Sequence, residues 1–265
     1  ADIQHMPGSI CGVWPAFWTF GTDWPEHGEI DIIEGVNLQG ANQVALHTSG
    51  QCDITGNGQT GTLINAACSE QAGPGGCTTG AGPNSYGTSF NNNNGGVYAM
   101  QWTSDFIQIW FFPRNAIPNS ITSGKPNPAL DFGMPLTNLQ NGSNCVIDQQ
   151  FQAQQFVINT DFCGDWAAGV YGTSGCPMPD PGNPVGNCVN YVATNPSAFQ
   201  QAYWEINSIK IYQQANGPST TTTTTKAITT TKATTTTKAT TTTKATTTTK
   251  ATTTTKATTT TKATT

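Results

Sequence analysis

Three acidic residues set among isoleucines constrain this chain more than any other feature. They lie in residues 28–35, which read GEIDIIEG. Successive side chains of a β-strand point to opposite faces, so Glu29 and Asp31 share one face and the isoleucines between them take the other. Glu34 is an odd number of residues from Glu29, and a regular strand would turn its charge into the isoleucine face at high cost. One extra residue in the doubled isoleucine, taken up as a β-bulge, would return Glu34 to its partners.

Three acids on one face of a strand destabilise a sheet, because like charges repel. Such an arrangement therefore indicates a catalytic role. At a rise of about 3.3 Å per residue, the backbones of Glu29 and Glu34 lie roughly 13 Å apart, and inward-leaning side chains could bring their carboxyl groups to within about 5 to 9 Å. Glycosidases hold their acid pair in this range. The alternative is a solvated acidic face on an edge strand.

Charge divides the chain near residue 218. All fifteen acidic residues precede this boundary, against Arg114, Lys125 and Lys210, so the body carries a charge near −12 and the tail is basic. A body so poor in cations is not expected to bind nucleic acid or an anionic membrane. Arg114, the only arginine, could hold a carboxylate or reach a sugar hydroxyl. Charged residues make up only 9% of the chain, and a polar, uncharged surface suits an extracellular protein that handles neutral sugars.

Eight cysteines favour an oxidising compartment. Their number is even and none forms a C-x-x-C pair, so up to four disulfides are expected rather than a cysteine-bound metal, with the pairing left open. They are Cys11, Cys52, Cys68, Cys77, Cys145, Cys163, Cys176 and Cys188. No apolar run approaches the roughly 18 residues that a membrane span needs. We expect a secreted monomer, with association with a cell wall left open.

Four ordered motifs resemble glycoside hydrolase family 16, over about residues 3–212. Residues 29–34, EIDIIE, are similar to the family's E-x-D-x-x-E signature, in the bulged form of laminarinases and related endo-β-1,3(4)-glucanases. The flanking segments resemble fungal members at residues 12–18 (GVWPAFW), 46–49 (LHTS) and 162–167 (FCGDWA). The resemblance implies a concanavalin-like jelly roll whose concave sheet forms an open cleft, which suits cutting inside a long polymer.

The resemblance also implies roles for the acids. Glu29 is expected to be the nucleophile of a retaining double displacement, and Glu34 the acid that protonates the departing oxygen and then the base that activates water. Asp31 would hydrogen-bond to Glu29 and raise the proton affinity of its neighbours through its charge. This chemistry requires no metal or organic cofactor, although a structural calcium ion stays open.

Aromatic residues near the acids are candidates for sugar contacts, because the C–H face of a pyranose stacks on an indole. By resemblance, Trp18 and Trp24 are expected to line the cleft in preference to Trp14, and Trp166 is a further candidate. Each could instead pack in the core. His47 is expected to return to the cleft and tune the carboxylates, whereas a lone histidine elsewhere would be structural. The three histidines lack the spacing of a zinc site.

Period-two patterns predict an all-β body, most simply a two-sheet sandwich. Further strands are expected at residues 44–48, 96–102, 106–112, 156–159 and 202–212, with a loop at 50–96 and a short helix or turn at 189–199. Residues 1–217 are expected to be a family 16 catalytic domain that lacks its first strands, since family members carry strands before this segment. Apolar faces and strand edges should then be uncovered. Residues 218–265, with a repeated TTTTKA pattern, are expected to be a disordered linker.

The expected function is that of a secreted endo-β-glucanase, which hydrolyses internal β-1,3 bonds of a β-glucan partner, with β-1,4 cleavage in mixed-linkage glucans left open. Two alternatives belong to other classes. A cell-wall transglycosylase would keep all three acids and differ in whether sugar or water accepts the intermediate. A non-catalytic glucan-binding module would use the same sandwich and tryptophans without needing the acids.

Overall fold

Two antiparallel sheets form the fold in a computed structural model, which describes residues 1–73 and 75–213. The strands are β1 (Asp2–His5), β2 (Val13–Phe20), β3 (Glu29–Glu34), β4 (Ala41–His47), β5 (Thr62–Asn65), β6 (Cys77–Pro83), β7 (Gly96–Trp102), β8 (Phe106–Pro113), β9 (Thr137–Gln140), β10 (Gln155–Phe162) and β11 (Glu205–Ser208). One sheet has the order β11-β1-β7-β8-β9, and the other β10-β2-β3-β4-β6-β5. The all-β sandwich expected from the sequence is therefore confirmed.

Short helices connect the strands. They are α1 (Gly87–Asn92), α2 (Asn119–Thr122), α3 (Pro128–Asp131), α4 (Ile147–Gln150), α5 (Gly164–Gly169) and α6 (Pro184–Thr194). The helix or turn expected at residues 189–199 is α6 and the 3₁₀ turn Pro196–Phe199 that follows it.

The bulge expected in β3 is present. Along β2 the partners of the three acids are alternate residues, and directly opposite residues share a face, so all three acids lie on one face of the sheet. The pairs are Glu29 with Phe20, Asp31 with Trp18, and Glu34 with Ala16. On the other side, β3 takes three steps from Asp31 to Glu34 while β4 takes two from Ala45 to Gln43. The extra residue keeps Glu34 out of the core.

The isoleucines of β3 fill the core on the opposite face. Ile30, Ile32 and Ile33 are buried together with side chains of the other sheet, such as Tyr98 and Ile107. Burial of an aliphatic side chain contributes roughly 1.5 to 3 kcal/mol. These residues therefore fix the position and register of β3, the strand that carries the acids.

Four disulfides are present, the largest number that the cysteines allow. They join Cys11 to Cys176, Cys52 to Cys145, Cys68 to Cys77, and Cys163 to Cys188. Two of them fasten residues 50–96, the Gly-rich excursion after β4. A cross-link across such a segment stabilises the fold by restricting the unfolded chain.

Two segments differ from expectation. Residues 50–96, expected as a loop, contain β5, β6 and α1. β6 has little apolar patterning, and it forms because it pairs with β4 on one side and β5 on the other. The last strand, expected over residues 202–212, is limited to Glu205–Ser208.

The edge strand β10 exposes apolar side chains. Phe156, Ile158 and Phe162 are 45%, 37% and 48% exposed, which matches the expectation of an uncovered apolar face. Within residues 1–73 and 75–213, no helix has the length and apolar character needed to cross a membrane. The linker expected at residues 218–265 lies outside the described residues.

Arg114 binds a carboxylate, which decides between the two roles left open for it. Its Nη1 lies 2.7 Å from Asp2 Oδ1, and its guanidinium also donates to the carbonyl oxygens of Ile3 and Asn94. Arg114 therefore fastens β1 to the turn before β7, and it has a structural role.

Candidate active site

The three acids of β3 lie at the middle of the six-stranded sheet, with β2 and β4 on either side. The register places Trp18 opposite Asp31 on β2 and His47 opposite Glu29 on β4. Glu29, Asp31, Glu34 and His47, all expected at the site, are thus brought together.

Asp31 is the most buried of the three acids, and it contacts His47. Asp31 is 2% exposed, and its Oδ2 lies 3.1 Å from His47 Nε2. The other ring nitrogen, Nδ1, lies 2.6 Å from Glu70 Oε1. With a carboxylate accepting at each nitrogen, both ring N–H groups donate, so His47 is an imidazolium.

Glu34 is held at the bulge by two neighbours. Trp14 Nε1 donates a 2.9 Å hydrogen bond to Glu34 Oε1. The Asn42 side chain accepts from the Glu34 backbone N–H at 2.9 Å and donates to the Ile32 carbonyl at 2.8 Å. Asn42 therefore satisfies the backbone groups that the bulge removes from the regular ladder, which would be costly to leave unpaired.

Burial raises the proton affinity of all three acids. Burial, followed by the charge of Asp31, raises the pKa of Glu29 to about 8. Burial and the charge of Glu34 raise the pKa of Asp31 to about 6. The pKa of Glu34 rises to about 7, again because of burial, while the Trp14 hydrogen bond acts in the opposite direction.

The pKa of His47 rises although burial of the ring favours its neutral form. Burial alone would lower its pKa, but hydrogen bonding and charge from Asp31, with further contributions from Glu70 and Glu29, raise it to about 10. A positive imidazolium beside several acids reduces their mutual repulsion. The cluster can therefore keep one carboxyl group ionised and another protonated near neutral pH.

The candidate tryptophans surround this cluster unequally. Trp18 shares the acid face, and its Nε1 donates to Asn159 Oδ1 at 3.0 Å. Trp24, in the turn between β2 and β3, is 50% exposed, and hydrogen bonding from its side chain lowers the pKa of Glu29 against the general trend. Trp166 reaches the site through Trp14, with ring centroids 5.7 Å apart and planes at 90°.

Sequence reasoning did not foresee the hydrogen bond from Trp14 to Glu34, and it missed Asn42 and Glu70. Trp14 lies four residues before Trp18, so strand alternation places both on the acid face, and this signal was available. Asn42 and Glu70 offer no such pattern, because their contacts depend on the tertiary fold.

Among the described residues, one group of side chains has the proximity of metal ligands. One ligand atom each of Glu29, Asp31 and His47 lies within 4.8 Å of the others. A doubly protonated His47 offers no lone pair to a cation. Hydrogen bonding within the group accounts for its geometry without an ion.

Comparisons with known proteins show which family this chain resembles. A family model described as the XgeA-like catalytic GH16 domain matches residues 1–212. A probable endo-1,3(4)-beta-glucanase of Neosartorya fischeri is 55% identical over 227 residues, which cover 85% of this chain and 34% of that protein. The endo-1,3(4)-beta-glucanase xgeA of Emericella nidulans is 53% identical over 213 residues, covering 80% and 34% of the two chains. The chain thus spans about a third of the length of these relatives.

Two solved structures are also similar. An elongating GH family 16 beta-1,3-glucosyltransferase has a TM-score of 0.74 and 54% identity, covering 78% of this chain and 69% of its own. Laminarinase 16A from Phanerochaete chrysosporium, with beta-glucans in both donor and acceptor sites, has a TM-score of 0.70 and 46% identity, covering 77% and 68%.

Proposed function

This chain belongs to glycoside hydrolase family 16, and on that premise we propose that residues 1–217 are the catalytic domain of a secreted endo-β-glucanase. Its substrate would be a β-glucan with internal β-1,3 bonds. Cleavage of β-1,4 bonds in mixed-linkage glucans is the open alternative. The names of the relatives support this substrate class. The four disulfides support an extracellular location, because such bonds persist in oxidising compartments.

One observation carries the proposal. The bulge places Glu29 and Glu34 on one face of a central strand, with Asp31 between them and tryptophans beside them. A glycosidase needs two carboxyl groups in different protonation states on the two sides of a scissile bond. A glucan-binding module would not need a buried acid triple, whose repulsion destabilises the sheet.

In the first step of the proposed reaction, the Glu29 carboxylate attacks the anomeric carbon while Glu34 gives its proton to the glycosidic oxygen. The bond from that carbon to the oxygen breaks, and a covalent glycosyl–enzyme forms. Burial raises the pKa of Glu34 and favours its protonated form. Burial also raises the pKa of Glu29, whereas the His47 charge and the Trp24 hydrogen bond lower it and favour the carboxylate form. In the second step Glu34 takes a proton from water, the water oxygen attacks the anomeric carbon, and Glu29 is released with the β configuration retained.

Asp31 and His47 support this pair. Asp31 lies between the two glutamates along the strand, and its charge raises the pKa of Glu29, an effect that the positive charge of His47 offsets. His47 supplies a fixed positive charge next to Asp31. Trp18, Trp24 and Trp166 are proposed to bind the sugar chain, with Trp14 as a further contact because it touches Glu34.

The test is a product profile of the protein on laminarin and on mixed-linkage glucan. We expect reducing ends to appear together with oligosaccharides of intermediate size, since an endo-acting enzyme cuts inside the glucan chain. Binding of both glucans with no release of reducing sugar would support a binding module instead.

A glucan transglycosylase is the second candidate, favoured by the similarity to the elongating glucosyltransferase. Its reaction shares the first step, and a sugar hydroxyl replaces water in the second. Product sizing over time separates the two, because products longer than the added oligosaccharide would form only by transfer.

Asp31→Asn is expected to lower kcat by about 10- to 100-fold, less than loss of either glutamate. Removing the Asp31 charge should also lower the pKa of Glu29, so the acidic limb of kcat/KM moves to lower pH. A pH profile of kcat/KM on laminarin measures both effects. An acidic limb that stays in place or moves upward would contradict this role for Asp31.

Trp14→Phe is expected to move the alkaline limb of kcat/KM to higher pH by roughly one unit, because the lost hydrogen bond stabilises the Glu34 carboxylate. The matched control is Trp102→Phe, at a partly exposed position of β7 in the other sheet. Equal profiles for the two variants would show that the Trp14 bond does not tune Glu34.

A further inference from the structure

Glu70 contacts His47 from the side of the ring opposite to Asp31. Its Oε1 lies 2.6 Å from His47 Nδ1, while Asp31 Oδ2 lies 3.1 Å from Nε2. The side chains are 17%, 13% and 2% exposed for Glu70, His47 and Asp31. The imidazole ring therefore lies between two carboxylates, with one bonded to each nitrogen. Asp31 lies on β3 with Glu29 and Glu34, whereas Glu70 does not.

Backbone contacts place Glu70 beside His47. The Glu70 N–H donates to the carbonyl of Thr48, the residue directly after His47, at 2.9 Å. Thr48 in turn bonds to Cys68 and forms a parallel bridge with Ser69. The Cys68–Cys77 disulfide then ties the segment back to β6, the neighbour of β4. Glu70 therefore has a fixed position, although it belongs to a Gly-rich excursion.

A glycine leaves room for the same contact. Gly76 has a φ of +57°, and a Cβ there would lie 2.9 Å from His47 Nδ1 and 2.4 Å from the Leu46 carbonyl oxygen. Any other residue would press against the ring atom that bonds to Glu70 and against backbone. The chain therefore keeps this side of the imidazole open for the carboxylate.

We propose that Glu70 is a positioning residue, whose negative charge keeps His47 protonated so that its second N–H holds Asp31 between the two glutamates. The effect of Glu70 on catalysis rests on the proposed glucanase function, whereas its effect on the His47 charge does not. A buried imidazolium needs compensating charge on both sides, because loss of one partner leaves part of its charge unpaired.

Every charged group facing His47 in the described residues is acidic. Asp31 and Glu29 lie on β3, Glu34 follows the bulge on the same strand, and Glu70 approaches from the excursion after β4. Glu70 is the one that can be neutralised without changing the acid triple.

The test compares Glu70→Gln and Glu70→Ala with the parent chain by NMR titration of the histidine ring nitrogens. We expect the pKa of His47 to fall by roughly one to two units in both variants, since each loses one charge-assisted contact. The His47 signal is identified by its loss in His47→Asn, and His5 and His27 serve as internal references. Glu205→Gln, the same chemical change at an exposed site on β11, should leave the His47 pKa unchanged.

Kinetics provide the second readout. In Glu70→Gln we expect kcat on laminarin to fall about tenfold with KM unchanged, because Glu70 acts through His47 and does not touch the sugar. An unchanged His47 pKa in Glu70→Gln would overturn the inference, because the amide keeps the shape of the side chain and removes only the charge. The titration does not depend on turnover, so a parent protein inactive on glucans would refute the proposed function without affecting this result.

Discussion

Glu29→Gln is expected to abolish glucan hydrolysis, lowering kcat by at least about 10⁴-fold while oligosaccharide binding stays measurable. The amide matches the carboxylate in size but is a very weak nucleophile, so the covalent step fails while the cleft keeps its shape. Initial rates on laminarin, together with calorimetric binding of a laminari-oligosaccharide, measure the two properties separately.

The matched control is Glu26→Gln, three residues earlier, where the side chain is exposed in the turn before β3. This variant should keep its activity, because its carboxylate lies outside the cluster. Activity of Glu29→Gln within about tenfold of the parent would refute the nucleophile assignment, since removing a nucleophile costs far more.

Glu34→Gln is expected to lose hydrolysis of laminarin as fully, but for a different reason. A sugar leaving group needs a proton, whereas dinitrophenolate departs without one. With a dinitrophenyl β-laminari-oligosaccharide, we therefore expect a burst of about one dinitrophenolate per enzyme, followed by slow turnover because the base that activates water is missing.

Stopped-flow absorbance measures this burst, and Glu29→Gln should show none with the same substrate. The contrast separates the two roles, because only the nucleophile is needed to release an activated leaving group. A burst in Glu29→Gln and none in Glu34→Gln would mean that the roles are reversed.

The strand that carries the acids was predictable in detail because its constraint is local. Glu29 and Glu34 are an odd number of residues apart, so in a regular strand Glu34 would point into the core with the isoleucines. A β-bulge that adds one residue removes this conflict, and the structure has that bulge. His47 followed from alternation in the next strand. The same alternation places Trp14 and Trp18 on the acid face of β2.

Other parts of the site were beyond sequence reasoning for a physical reason. Glu70 reaches His47 through a backbone bond to Thr48 and a nearby disulfide, and neither leaves a periodic pattern in the chain. Asn42 stabilises the bulge through two side-chain bonds, which depend on strand register. β6 was assigned to a loop because its Gly and Thr residues carry no apolar period, and its pairing partners alone define it.

The most direct test of the account is to trap the covalent intermediate. A 2-deoxy-2-fluoro β-laminari-oligosaccharide with a dinitrophenolate leaving group slows both steps, the second more than the first, so the glycosyl–enzyme accumulates. Mass spectrometry of the intact protein and fragmentation of the labelled peptide then locate the sugar. The account predicts one sugar per chain, on Glu29, absent in Glu29→Gln. A label on Glu34, or turnover of the substrate to an α-configured product with no label, would contradict it.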